Sequence, residues 1–101
     1  MPYQLKNVPG VQKTLDALKN GDANDQAKLE KVRKALRLLR QDPRHPSLNT
    51  YPYQNFPGVA KDVKVWHSYV ENKTSSAWRI WWKYGPGRGV ITILTIGPHD
   101  L

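Results

Sequence analysis

The residues predict an α+β domain: two N-terminal helices packed on one face of a small, mainly antiparallel β-sheet. Three observations carry that prediction. Two stretches with apolar residues at helical spacing come first, stretches alternating β-branched and aromatic residues follow, and the last two of these flank a glycine-rich loop. Helices and strands segregated along a chain form a helix layer on one sheet face, not a βαβ alternation. The 101 residues are expected to make one domain, spanning 1–101, with a single core.

In chain order, Met1 to Val8 is a candidate edge strand. Val11, Leu15 and Leu18 repeat at i, i+4, i+7 and predict a short helix from Gly10 to Asn20, with Gly21 as its stop. Asp22 or Asn24 can cap a second helix running to Gln41, on which Leu29, Val32, Leu36 and Leu39 recur at helical spacing. Asp42-Pro43 ends it, because the residue before a proline is pushed out of the α region. From Arg44 to Gly58 the prolines forbid helix and leave only short extended pieces such as Ser47 to Tyr51. Lys61 to Val70 then reads as a strand with Val63, Val65, His67 and Tyr69 on one side. Glu71 to Ser76 is a turn.

The strongest local signal is Ala77 to Leu101, AWRIWWKYGPGRGVITILTIGPHDL. Ala77 to Tyr84 and Val90 to Ile96 flank Gly85-Pro86-Gly87-Arg88-Gly89, a pattern that predicts a β-hairpin with a five-residue loop. Side chains alternate on a strand, so Trp78, Ile80, Trp82 and Tyr84 share a core face, while Arg79, Trp81 and Lys83 share the other. On the partner strand Val90, Thr92, Leu94 and Ile96 alternate with Ile91, Ile93 and Thr95. Both its sides are largely apolar, which suits a central strand. The strand runs into His99.

Charge and composition narrow the function. Sixteen Lys and Arg against eight Asp and Glu give +8, so a polyanion is the first partner to consider. The second helix alone carries an excess of four cations. With no cysteine, disulfides, thiolate metal sites and cysteine nucleophiles are excluded. No segment has the apolar length of a signal peptide or a membrane span, so a soluble cytoplasmic protein without membrane association is expected.

No phosphate-cradling glycine loop followed by Lys-Ser or Lys-Thr occurs, nor HExxH, nor G-x-S-x-G, nor clustered carboxylates. The Gly85 to Gly89 loop joins two strands instead of opening a helix, so it reads as hairpin geometry. His45, His67 and His99 are too scattered to suggest a metal site, and no cofactor is expected. What remains is Arg, Lys, His and aromatic residues, and that set suffices for one reaction. RNA carries its own nucleophile, the 2′-hydroxyl. Cleavage needs a base for that proton, a cation for the five-coordinate phosphate and an acid for the departing 5′-oxygen. Histidine titrates near neutrality, and the arginine fork holds two phosphate oxygens.

Trp66 to Glu71, then Ala77-Trp78-Arg79-Ile80-Trp81-Trp82-Lys83-Tyr84, then Ile93 to His99 resemble the RelE/ParE toxin superfamily. There a Tyr/Trp-Arg-Ile/Val strand precedes a last strand ending in Gly-x-His or a similar basic tail. The helical pair, the Leu-Leu-x-x-Asp-Pro-Arg turn at Leu38 to Arg44 and the following Leu48 are similar as well, so the resemblance spans nearly the whole chain.

The resemblance implies a RelE-like fold and a toxin paired with an antitoxin, cutting mRNA in the ribosomal A site without metal. Arg79 then contacts the scissile phosphate and His99 serves as acid or base. Lys61, Lys64 and His67 bind RNA. Base stacking, which relatives give to an aromatic residue beyond the histidine, falls to Trp81, and the hairpin adds Lys83 and Arg88 as RNA contacts. Two alternatives stand beside this reading. One is a ParE-like inhibitor of DNA gyrase without catalysis, and the other is a nucleic-acid-binding module without toxicity.

Overall fold

The computed structural model describes residues 2–71 and 77–98. In chain order they form β1 (Gln4–Asn7), α1 (Pro9–Lys19), α2 (Ala23–Gln41), a 3-10 turn (Pro46–Leu48), β2 (Tyr51–Tyr53), β3 (Val65–Tyr69), β4 (Trp78–Tyr84) and β5 (Val90–Pro98). The five strands make one sheet in the order β1-β5-β4-β3-β2. Only β1 and β5 run parallel, with Gln4 opposite Val90. The α+β class and the central place of the last strand are as the residues predict.

Both helices begin where local chemistry dictates. Pro9 takes the first turn of α1, where its missing N–H costs nothing. The Asp22 carboxylate caps α2 by accepting from Asp25 N at 2.9 Å. The chain turns extended at Asp42, as Pro43 requires. Val11 and Leu18 of α1 and Leu29, Val32, Ala35 and Leu39 of α2 pack on Ile80, Trp82, Ile91, Ile93 and Ile96 of the sheet. Complete burial of such a side chain is worth about 1.5–3 kcal/mol, so this layer supplies most of the apolar driving force.

Strict alternation fails on β5, and the failure is informative. Trp81 stands opposite Thr95, yet Trp82 stands opposite Ile93, so Leu94 is an extra residue in a bulge. A bulge shifts the side-chain phase by one position. Ile91, Ile93 and Ile96 thereby all reach the helix side, where uninterrupted alternation would have turned Ile96 away.

Two more expectations are corrected. The strand predicted from Lys61 begins only at Val65, because Ala60 accepts from Val63 N and residues 61–63 form a turn. Ser47 to Tyr51 is not extended: Ser47 and Leu48 belong to the 3-10 turn and Asn49 sits at φ 47°, so the edge strand starts at Tyr51. The hairpin loop is as expected, with Gly85, Gly87 and Gly89 all at positive φ. Among the described residues, no helix is long and apolar enough to cross a membrane.

Candidate active site

On the sheet face turned away from the helices, β-pairing lays down two rows. Tyr51, His67, Trp81 and Thr95 stand side by side across β2, β3, β4 and β5, and Tyr69, Arg79 and Gly97 form the next row. Tyr-Pro-Tyr on β2 matters here, since alternation places Tyr51 and Tyr53 on the same face and Pro52 is tolerated on an edge strand.

The result is an aromatic array around one cation. The Tyr51 ring meets His67 edge-on at 4.0 Å, Tyr53 meets His67 at 5.3 Å and Trp81 at 5.9 Å, and His67 stacks on Trp81 at 6.0 Å. Arg79 Cζ lies 3.6 Å from the centre of the Tyr69 ring, a cation–π contact. Its Nη1 donates to the backbone carbonyls of Glu71 at 2.9 Å, Ala77 at 3.2 Å and Trp78 at 3.3 Å. Among the described residues its Nε has no hydrogen-bond partner. Only 6% of Arg79 is exposed. The guanidinium is therefore held at a fixed spot under Tyr69, with donor capacity to spare.

Tyr51 is 42% exposed and marks the opening of the array. Its phenol is raised above the ordinary value, first by a hydrogen bond with Tyr69, then by burial and by the nearby Tyr69 charge, against the pull of Arg79. Glu71 anchors the arrangement from behind. Its carboxylate accepts from Lys28 Nζ at 2.7 Å, Lys31 Nζ at 3.3 Å and Trp78 N at 3.2 Å, while its carbonyl receives Arg79. One residue thus ties α2 to the arginine.

Of the residues singled out by sequence, the structure brings together Arg79, His67 and Trp81, with Lys83 half-buried further along the same face of β4. Trp81 is fully buried, covered in part by Tyr53 and His67, so in this arrangement no base can stack on it. Lys64 turns the other way, its Nζ 4.9 Å from the Trp66 ring on the helix side. Lys61 is exposed in the segment before β3, and Arg88 is exposed at the hairpin tip, past the end of β4, which itself lies roughly 17 Å from Arg79. His99 lies outside the described residues. Tyr51, Tyr53 and Tyr69 were missed by the sequence reading, although the Tyr-Pro-Tyr alternation and the shared side of His67 and Tyr69 were signals for them.

These residues thus build a two-helix layer on a β1-β5-β4-β3-β2 sheet, with Arg79 on the opposite face of the strand before last. No protein-family model matches the chain, and no curated protein sequence matches it. Solved structures do. A RelE–RelB complex from Pyrococcus horikoshii superposes with a TM-score of 0.65 at 17% identity, covering 99% of this chain and 98% of that one. A YoeB/ParE toxin from Agrobacterium tumefaciens gives 0.69 at 13% identity, over 95% and 98%. The intact E. coli RelBE toxin–antitoxin complex gives 0.55 at 14%, over 98% and 99%. At these identities the likeness defines the fold: this chain has the RelE-like fold.

Proposed function

We propose that this chain is the toxin of a type II toxin–antitoxin pair and cuts messenger RNA on the ribosome without a metal ion. The observation that carries the reading is the position of Arg79, fixed on the sheet face opposite the helices and bordered by Tyr69 and, across the array, by Tyr51 and His67. The RelE–RelB and RelBE complexes among the structural neighbours support an antitoxin as partner, one whose acidic or amphipathic segment covers this basic protein.

In the proposed reaction the 2′-oxygen attacks phosphorus and its proton passes to a base. The P–O5′ bond breaks, and an acid protonates the 5′-oxygen, leaving a 2′,3′-cyclic phosphate and a 5′-hydroxyl. Arg79 stabilises the added phosphate charge, for which the Tyr69 ring swings off the guanidinium. His99 supplies acid or base, and His67 and the Tyr51 phenol border the same space.

The experiment is 5′-end mapping of mRNA in a translating extract containing EDTA. Defined cuts with the intact chain and at least about a hundredfold fewer with Arg79→Ala are expected, from the size of a single lost charge-stabilising donor. Undiminished cutting by Arg79→Ala would overturn the assignment. The enclosure of Arg79 favours a second reading, a ParE-like gyrase inhibitor that binds and does no chemistry. That reading requires intact mRNA and accumulated gyrase–DNA breaks in the same cells.

A further inference from the structure

The sheet carries a second recess on its helix side, beyond the end of α2. It is a cleft of about 270 Å³ between the 43–50 connection and the ends of β3 and β4. Its floor is aromatic: Trp66 and Trp82 lie nearly parallel with ring centres 6.2 Å apart, and Tyr84, 45% exposed, meets Trp82 edge-on at 4.9 Å. Two cations stand by it. Arg44 forms one wall with the His45 ring and lies beside the Tyr84 hydroxyl, and Lys64 Nζ, outside the lining itself, sits 4.9 Å from the Trp66 ring. Asp42 is the nearby carboxylate, and its Oδ1 accepts from Arg44 N at 3.0 Å.

The cleft is preorganised. Trp82 Nε1 donates to Ser68 Oγ at 2.8 Å, Ser68 and Thr50 share a hydrogen bond at 2.6 Å, and Thr50 donates to the Pro43 carbonyl at 3.1 Å. Thr50 spends its proton on Pro43, so Ser68 must donate to Thr50, and the chain of donors runs one way from the indole to the wall. His45 Nδ1 accepts from Ser47 N at 3.1 Å, so the neutral ring carries its proton on Nε2.

We infer that this cleft holds one nucleotide of single-stranded RNA, its base on the Trp66–Tyr84 surface and its phosphate between Arg44 and Lys64. Flat aromatic rings flanked by cations are the pairing that single-stranded nucleic acid requires. The volume lies near the lower end of small-molecule pockets, roughly 300 Å³, a size that suits one nucleotide. The site faces away from Arg79 and needs no cleavage chemistry, so it stands whether or not the nuclease reading does.

The test is titration of the ¹⁵N-labelled chain with 5′-AMP, adenosine and ribose 5-phosphate, followed by amide and indole N–H resonances. Shifts from 5′-AMP are expected at residues 44–50, at Tyr84 and at the Trp66 and Trp82 indoles. Removing the base should weaken binding at least about fivefold, the low end of one stacking contact. Arg44→Ala and Lys64→Ala, both exposed side chains, should each weaken 5′-AMP severalfold with unchanged melting. No shifts, shifts confined to the Arg79 face, or equal binding of ribose 5-phosphate would overturn the inference. So would an acidic peptide that occupies the same resonances more tightly than 5′-AMP, since the cleft would then belong to a protein partner. Loss of mRNA cutting in Arg79→Ala with 5′-AMP binding retained would separate this site from the proposed active site.

Discussion

Glu71 offers the sharpest test of how the helix layer and the arginine are joined. Its side chain is 18% exposed and its carboxylate meets Lys28 Nζ at 2.7 Å and Lys31 Nζ at 3.3 Å, the first lysine 26% and the second 59% exposed. A hydrogen bond to a charged group in such a half-buried place contributes about 1.5–3 kcal/mol. The exposed Lys31 contact adds well under 1 kcal/mol. Glu71→Ala should therefore cost about 2–3 kcal/mol, a drop of roughly 10–20 °C in melting temperature for a domain of this size. Glu71→Gln, which keeps an acceptor for Trp78 N, should cost about half.

The same residue sets a pH signature. Burial alone lifts its pKa, but the hydrogen bond from Lys28, the Trp78 N–H and the Lys31 contact outweigh burial and hold it below the ordinary 4.5. A depressed carboxylate stabilises the fold fully above its unfolded value and loses that contribution as pH falls through the folded value. The gap between the natural chain and Glu71→Gln, measured by circular-dichroism melts, should be widest at pH 6–7 and should close as pH falls below 4.5. Equal melting temperatures at pH 7, or a gap that persists undiminished under acid, would refute the assignment of Glu71 as the clasp.

Three further outcomes can be checked directly. Ser68→Ala strands the buried Trp82 indole N–H, and should destabilise by about 1–3 kcal/mol in urea unfolding with the slope unchanged. Asp22→Ala removes the α2 cap, and should cost about 0.5–2 kcal/mol by the same measurement, whereas Asp22→Asn should cost far less. Tyr69→Phe deletes the hydroxyl that raises the Tyr51 phenol; in an absorbance titration of tyrosinate, one group that ionises late in the natural chain should move down toward 10.0.

Much of the fold was legible because local and global demands agree. The cap at Asp22, the break at Asp42-Pro43 and the three positive-φ glycines of the hairpin are each set by neighbours in sequence. The bulge at Leu94 was not legible, since it answers to the need for Ile96 beneath the helices, a tertiary requirement. The 3-10 turn was hidden for a similar reason: Asn49 in the left-handed region and Leu48 in the core are fixed by the sheet they dock on. At the candidate site the sequence placed Arg79 and Trp81 on the strand face away from the core and His67 beside Tyr69 on its own strand, and the pairing of β3 with β4 joins the two. Their burial depends on Tyr51, Tyr53 and Tyr69, which arrive from strands up to 28 residues upstream of Arg79 and whose approach no local pattern encodes.

The parallel pairing of β1 with β5 joins positions as distant as Gln4 and Val90. During synthesis the first strand therefore has no neighbour until the fifth emerges, and both helices wait for Ile91, Ile93 and Ile96 before their apolar faces are covered. Closing so long a loop is entropically costly before any contact compensates it. A nascent chain halted before residue 90 thus lacks β5, the strand that joins β1 to β4, so the sheet closes in one step, when that last strand is threaded between them.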